Sequence, residues 1–256
     1  MNRFARLKGA RAIMPFLMLG DPDSETSFAL IKTALDAGVE ALELGIPFSD
    51  PIADGPIIQA SAERALKAGM DFDRALDLIK RIRTMTDVPI AVLTYCNLLW
   101  QRGFPQALQA LKQSGVDGLL LADLKFEDAQ KWEADYRTAG IDPIFLIAPN
   151  TPLERAKTIH AASKGFTYLI NAMGTTGLRQ TNNAGTLTHL TALQSVPSEA
   201  PLVVGFGIHE KSQAEALWDQ GADCVILGSK LVDLISKAPD SNTACMKLKQ
   251  FLLALR

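Results

Sequence analysis

The chain has 256 residues, 48% of them hydrophobic and 21% charged, with 26 basic side chains against 28 acidic ones. That composition suits a globular protein and argues against a disordered, collagenous or coiled-coil chain; the near-neutral balance leaves no basic field for nucleic acid. Cys96, Cys224 and Cys245 lie far apart with no C-x-x-C, and His160, His189 and His209 have no ligand spacing. The expectation is therefore a reducing, cytoplasmic setting, no metal, and histidines on the surface or in loops.

Taken in chain order, Arg3, Arg6, Lys8 and Arg11 precede an apolar stretch at 12–19. Pro15 interrupts it, no small-residue cleavage site follows, and Asp21-Pro22-Asp23 closes it. It reads as a basic lead-in to a buried strand rather than a targeting segment. No apolar run is long enough for a membrane span. Further apolar runs fall at 41–45, 89–94, 118–122, 143–147, 167–170, 202–205 and 224–227, after the first at 13–18. They are nearly continuous rather than alternating, the pattern of parallel strands buried on both faces. Several are introduced by one signal: Gly38-Val39-Glu40, Gly115-Val116-Asp117, Gly140-Ile141-Asp142 and Gly221-Ala222-Asp223. There glycine ends a helix in the left-handed conformation and an acidic turn enters the strand.

Helical spacing separates the runs, as in Phe28, Ile31, Leu35 and again in Phe72, Leu76, Ile79. Thr151-Pro152-Leu153-Glu154 reads as a helix start, with Thr151 as N-cap and Pro152 at the first helical position. Eight strand–helix units with no linker between them predict a single-domain α/β protein over 1–256, a (β/α)8 TIM barrel, with a doubly wound open sheet as the alternative. Barrel chemistry sits at the carboxyl ends of the strands.

At the second strand Glu43 stands inside an apolar run, sharing a face with Ala41 and Gly45. A carboxylate there is costly unless paired or protonated, and burial raises its pKa into the range of a general acid. The other reading is a structural ion pair, but the strand runs hold no lysine or arginine to make one. The following loop is stiffened by Pro47, Pro51 and Pro56 and carries Asp50 and Asp54. Two carboxylates in unlike surroundings can be pushed apart in pKa to give an acid and a base; Asp-Pro and Asp-Gly are also ordinary turn dipeptides. Spacing alone leaves both readings open. Late glycine turns, Gly174-Thr175-Thr176-Gly177, Gly205-Phe206-Gly207 and Gly228-Ser229, follow the last three strands. In barrels such turns hold phosphate with backbone N–H groups and a helix N-terminus.

These residues together resemble the tryptophan synthase alpha chain family. The segment 43–59, ELGIPFSDPIADGPIIQ, is highly specific to it. The likeness extends through PFLMLGDP at 15–22, Tyr95 to Asn97, Leu121-Ala122-Asp123-Leu124, Tyr168 and the three glycine turns. The resemblance implies cleavage of indole-3-glycerol phosphate to indole and glyceraldehyde 3-phosphate. In it, Glu43 would protonate indole C3 and Asp54 would hold the indole N–H. Phe16 and Leu93 would line the indole pocket, with Tyr168 beside the substrate. Phe206 falls among the substrate-binding positions, and Gly177, Gly207, Gly228 and Ser229 match phosphate-loop positions. The chain itself would need no cofactor. Its partner would be a pyridoxal-phosphate-carrying beta chain, in an alpha2-beta2 heterotetramer.

Met18, Lys125, Asn171-Ala172-Met173 and Lys230 depart from the family pattern, and the segment before the first strand is short. These changes bear on loop closure and partner signalling. Lys230 reads either as a solvated lysine at a helix start or as added charge near the phosphate. Two alternatives stay open: a stand-alone lyase that releases free indole, and a weakly catalytic barrel that regulates a beta chain. The apolar stretch 97–100 reads as a loop that either contacts the partner or packs beneath itself.

Overall fold

The computed structural model describes residues 2–170, 184–205 and 207–256. Its strands are β1 (Ala12–Met18), β2 (Leu42–Gly45), β3 (Ile90–Thr94), β4 (Gly118–Leu121), β5 (Asp142–Pro143), β6 (Phe145–Ile147), β7 (Thr167–Ile170), β8 (Leu202–Gly205) and β9 (Cys224–Leu227). All pair in parallel, in the order β5-β4-β3-β2-β1-β9-β8-β7-β6. The two ends of that order, β5 and β6, are separated in the chain by Ile144 alone. They are two halves of one stave. The first half pairs with β4 and the second with β7, while the Ile144 N–H donates to the Leu119 carbonyl at 3.0 Å. The sheet therefore closes on itself as the expected eight-staved barrel, and the open doubly wound alternative fails.

The helices cover the outside: α1 (Ser24–Asp36), α2 (Pro56–Lys67), α3 (Phe72–Arg83), α4 (Cys96–Trp100), α5 (Phe104–Ser114), α6 (Phe126–Ala129), α7 (Glu133–Ala139), α8 (Leu153–Ala162), α9 (Ala184–Leu193), α10 (Lys211–Asp219), α11 (Ser229–Ser236) and α12 (Ser241–Ala254). α3 shows the logic. Asp71 caps it by accepting from the Arg74 N–H at 2.9 Å. Phe72, Leu76, Ile79 and Ile82 bury one face, and Lys80, Arg81 and Arg83 suit the negative end of the dipole.

The glycine–acid signals act at the amino ends of the strands. The four glycines take φ of +83°, +100°, +71° and +97° in chain order, conformations that L side chains rarely adopt. Three of the acids then clasp the start of a neighbouring strand. Glu40 accepts from the Ile13 N–H, Asp117 from Ile90 and Asp223 from Leu202, at 2.7–2.9 Å. Each also meets a cation: Arg256 at 2.6 Å on Glu40, Arg3 and Arg83 at 2.6 and 2.7 Å on Asp117, and Lys8 at 4.0 Å on Asp223. The basic lead-in thus supplies two of the partners, while its Phe4 and Leu7 are fully buried.

Three local expectations are corrected. α8 begins at Leu153, and the Thr151 hydroxyl accepts from the Ala148 N–H at 3.0 Å instead of capping the helix. His160 and His189 are buried in helices rather than lying on the surface or in loops. His160 meets the Thr167 hydroxyl at 2.7 Å and His189 the Thr151 carbonyl at 2.8 Å. The stretch 97–100 belongs to α4, with Leu99 in the core and Trp100 51% exposed. Among the described residues no helix is long and apolar enough to cross a membrane.

Candidate active site

At the carboxyl end of the barrel one cavity is lined by Phe16, Glu43, Asp54, Leu93, Tyr168, Gly207, Gly228 and Ser229, eight of the residues singled out from the sequence. Strand register explains the gathering. Phe16 of β1 lies opposite Glu43 of β2, and Gly45 lies opposite Leu93 of β3, so their side chains share the inner face. Two glycines make room for the aromatic walls. A Cβ on Gly45 would lie 2.8 Å from the Phe16 ring, and one on Gly205 would collide with the Tyr168 hydroxyl. Gly177, Phe206, and the stretches 171–173 and 174–177 lie outside the described residues.

Glu43 is 1% exposed, and its Oε1 is buried without a hydrogen-bond partner among the described residues. Among the described residues no cation pairs with it, so the ion-pair reading finds no support. Burial, with a smaller push from the Asp54 carboxylate, raises its pKa to about 8. Asp54 is raised to about 6, mainly by burial, against the opposing hydrogen bond from Tyr95. The Tyr168 phenol is pushed well above its ordinary value by burial, then by Glu43 and Asp54.

The loop before α2 holds Asp54 in place through contacts that the sequence did not advertise. The Tyr95 hydroxyl donates to Asp54 Oδ2 at 2.9 Å and accepts from the Ala53 N–H at 3.2 Å. Phe48 stacks on the Tyr95 ring at 5.2 Å. Gln59 donates to the Asp54 carbonyl at 2.8 Å. Behind the loop, Arg64 of α2 grips the buried Asp21 with two bonds of 2.7 Å, and Ser61 donates to the same carboxylate. Asp54 is thus both a turn residue and a cavity residue. Asp50 is exposed, accepts from the Ser49 hydroxyl, and does not line the cavity.

Two helices begin at the other wall. α10 is closed by its own capping box of Glu210 and Gln213. α11 follows Gly228, which offers no side-chain cap, so its first-turn N–H groups remain open to an anion. Ile58, Ile208, His209, Ile226 and Lys230 complete the lining. Sequence reasoning placed none of these five in the site except Lys230, which it left undecided; the apolar ones carry no signal beyond strand or helix patterning. A larger cavity of about 680 Å³ lies on the flank, beside the amino ends of the strands. Its Arg3 and Asp117 are paired with each other, and Lys112 is bound to the Gly140 carbonyl at 2.7 Å. Burial raises the Asp142 carboxyl there as well, against the pull of Lys112, but the two carboxyls pushed furthest, Glu43 and Asp54, face the carboxyl-end cavity together.

The family model described as tryptophan synthase alpha chain matches residues 4–254. The tryptophan synthase alpha chain of Methanothermobacter thermautotrophicus is 42% identical over 233 residues, covering 91% of this chain and 86% of that protein. That of Synechococcus elongatus is 39% identical, covering 96% of this chain and 92% of that protein. Among solved structures, a chain of the tryptophan synthase complex from Pyrococcus furiosus superposes with a TM-score of 0.85 at 34% identity, covering 96% of this chain and 98% of that one.

Proposed function

This chain belongs to the tryptophan synthase alpha chain family, a family of lyases, and from that premise we propose how the cavity cleaves indole-3-glycerol phosphate. The carrying observation is a pair of carboxyls in one cavity with unlike proton affinities. Glu43, at about 8, is protonated at neutral pH and serves as the acid. Asp54, at about 6, is mostly ionised there and opposes the positive charge that develops on the indole nitrogen. Glu43 gives its proton to indole C3. The C–C bond to the glycerol side chain then breaks, its electron pair returning to the ring. The Glu43 carboxylate takes the proton of the side-chain hydroxyl as that carbon becomes an aldehyde, which restores the acid. Phe16 and Leu93 pack the indole faces, and Tyr168 sits beside the substrate. Gly207, Gly228 and Ser229 receive the phosphate, with Gly177 assigned to the same task and Phe206 to substrate binding by the resemblance.

The test is indole release as a function of pH. Activity requires Asp54 ionised and Glu43 protonated. kcat/KM should therefore rise as pH passes about 6 and fall as it passes about 8. A profile flat from pH 5 to 9 would remove the pair from the chemistry.

Ser229→Asp should weaken binding of glyceraldehyde 3-phosphate and inorganic phosphate by at least about 10-fold, because a fixed negative charge then occupies the open start of α11. Indole binding should change far less. Titration calorimetry separates the two, and equal phosphate affinity in both proteins would place the phosphate elsewhere.

The reading includes a beta chain as partner, in an alpha2-beta2 assembly, and pyridoxal phosphate belongs to that chain rather than this one. Support comes from the likeness to a chain of the Pyrococcus furiosus complex. It also comes from apolar side chains on the segments that follow β2 and β3: Ile52 is 79% exposed and Trp100 51%. Three unpaired cysteines suit the cytoplasm. A complex in sedimentation, with faster indole release when the beta chain is added, is the expected result. Full-speed release without complex formation would favour the stand-alone lyase.

A further inference from the structure

Two side chains at the phosphate end of the cavity play no part in the cleavage described above. Lys230, in the first turn of α11, is half-buried and lines the cavity beside Gly228 and Ser229. Among the described residues no carboxylate pairs with it; Asp233, one turn on, is held by Lys237 at 2.8 Å. The stretch 171–183 has no acidic residue in its sequence, so it brings no counter-charge. A cation in the first turn of a helix also faces the wrong end of the dipole.

His209 lines the same wall just ahead of α10 and is half-buried. Its backbone N–H is taken by Gln213 at 2.6 Å, but its Nδ1 is buried with no partner among the described residues. Burial, then the neighbouring Lys230, holds the imidazole below its ordinary pKa, while Glu210 pulls the other way. Among the described residues, one wall therefore gathers an unpaired ammonium and an uncapped helix start, beside an imidazole whose Nδ1 has no partner. That concentration of positive potential is unfavourable by itself and is relieved by an anion.

We infer that Lys230 and His209 read the charge of the substrate's phosphate. Lys230 pairs directly with a phosphomonoester dianion. His209 is neutral in the free protein and gains one proton from solvent as the dianion binds, so the site ends with an added donor and an added charge. The inference rests on the reading of the Gly207, Gly228 and Ser229 turns as the phosphate site, and it deepens that reading. Backbone N–H groups alone would accept many anions. Two cationic side chains favour a doubly charged end.

Calorimetric titration with sodium sulfate tests this, because sulfate is a dianion from pH 6 to 8 and any proton taken up must go to the protein. Sulfate and inorganic phosphate affinity should fall about 10-fold in Lys230→Ala, and Lys230→Arg should recover most of it. The unsubstituted protein should bind sulfate more tightly at pH 6 than at pH 8, with proton uptake; Glu43→Gln removes the share owed to the carboxyl at about 8 in the same cavity, and adding His209→Asn should remove most of the dependence that remains. Unchanged affinity in Lys230→Ala, with binding abolished in Ser229→Asp, would overturn the role of the side chains while keeping the phosphate site. Unchanged affinity in both would overturn the phosphate site itself.

Discussion

Glu43→Gln is expected to lower indole release by about 10²–10⁴-fold, the usual worth of a positioned general acid–base group. The amide keeps the shape of a side chain that is 1% exposed, but it has no proton to deliver to indole C3. Stability should respond in a way that separates chemistry from folding. The folded-state pKa of about 8 lies well above the ordinary glutamate value, so the folded protein binds the extra proton across the interval between. Stability from that proton is full at low pH and is lost as pH rises through about 8. Asp54 contributes in the same direction but only up to about pH 6, while His160 and His209, both held low by burial, act in the opposite direction up to about pH 7. Urea unfolding midpoints should therefore fall between pH 7 and 8 in the parent protein and show no such fall in Glu43→Gln. Near-normal indole release from the variant would remove Glu43 from the mechanism.

Asp54→Asn should cost about 10²–10³-fold, the scale seen when one preorganised electrostatic stabiliser is removed. The asparagine oxygen can still accept from the Tyr95 hydroxyl, so the loop should hold its place and the loss should report charge. The pH profile adds a second readout. The rising limb near 6 should vanish. The falling limb should move below 8, because the Asp54 carboxylate is one of the two causes that raise Glu43. Asp50→Asn should do much less to the intrinsic reaction, since Asp50 is exposed and outside the cavity. A larger loss for Asp50 than for Asp54 would mean that the loop carboxylates are assigned in reverse.

The barrel was legible because strands buried on both faces leave near-continuous apolar runs. The runs at 202–205 and 224–227 coincide with β8 and β9. The fifth stave was only half legible. Its run appears in the sequence, but its division at Ile144 depends on which neighbour each half pairs with, a tertiary fact. Thr151 shows the same limit at short range, where a good cap residue satisfies a different N–H. Glu43 stood out because a lone carboxylate in an apolar strand breaks the pattern. Tyr95 and Asp21 broke no pattern, and their importance lies in partners that only the fold brings near: Asp54 for one, Ser61 and Arg64 for the other. Likewise His160 and His189 are buried polar residues that each meet one oxygen, the Thr167 hydroxyl and the Thr151 carbonyl, which spacing cannot reveal.

The barrel closes by laying its first strand against its last, with Ala12 opposite Cys224. That ladder joins residues from nearly opposite ends of the described chain, so its loop-closure entropy comes due before any of its contacts form. High contact order of this kind slows folding and leaves strand edges open in the meantime. During synthesis, β1 has no β9 to pair with until residues through Leu227 have emerged. A nascent chain stopped after β8 would expose β1 on one side and β8 on the other, two parallel edges able to recruit other chains. The emergence of β9, rather than the appearance of any single catalytic residue, is thus the event that lets both the site and a closed barrel surface form.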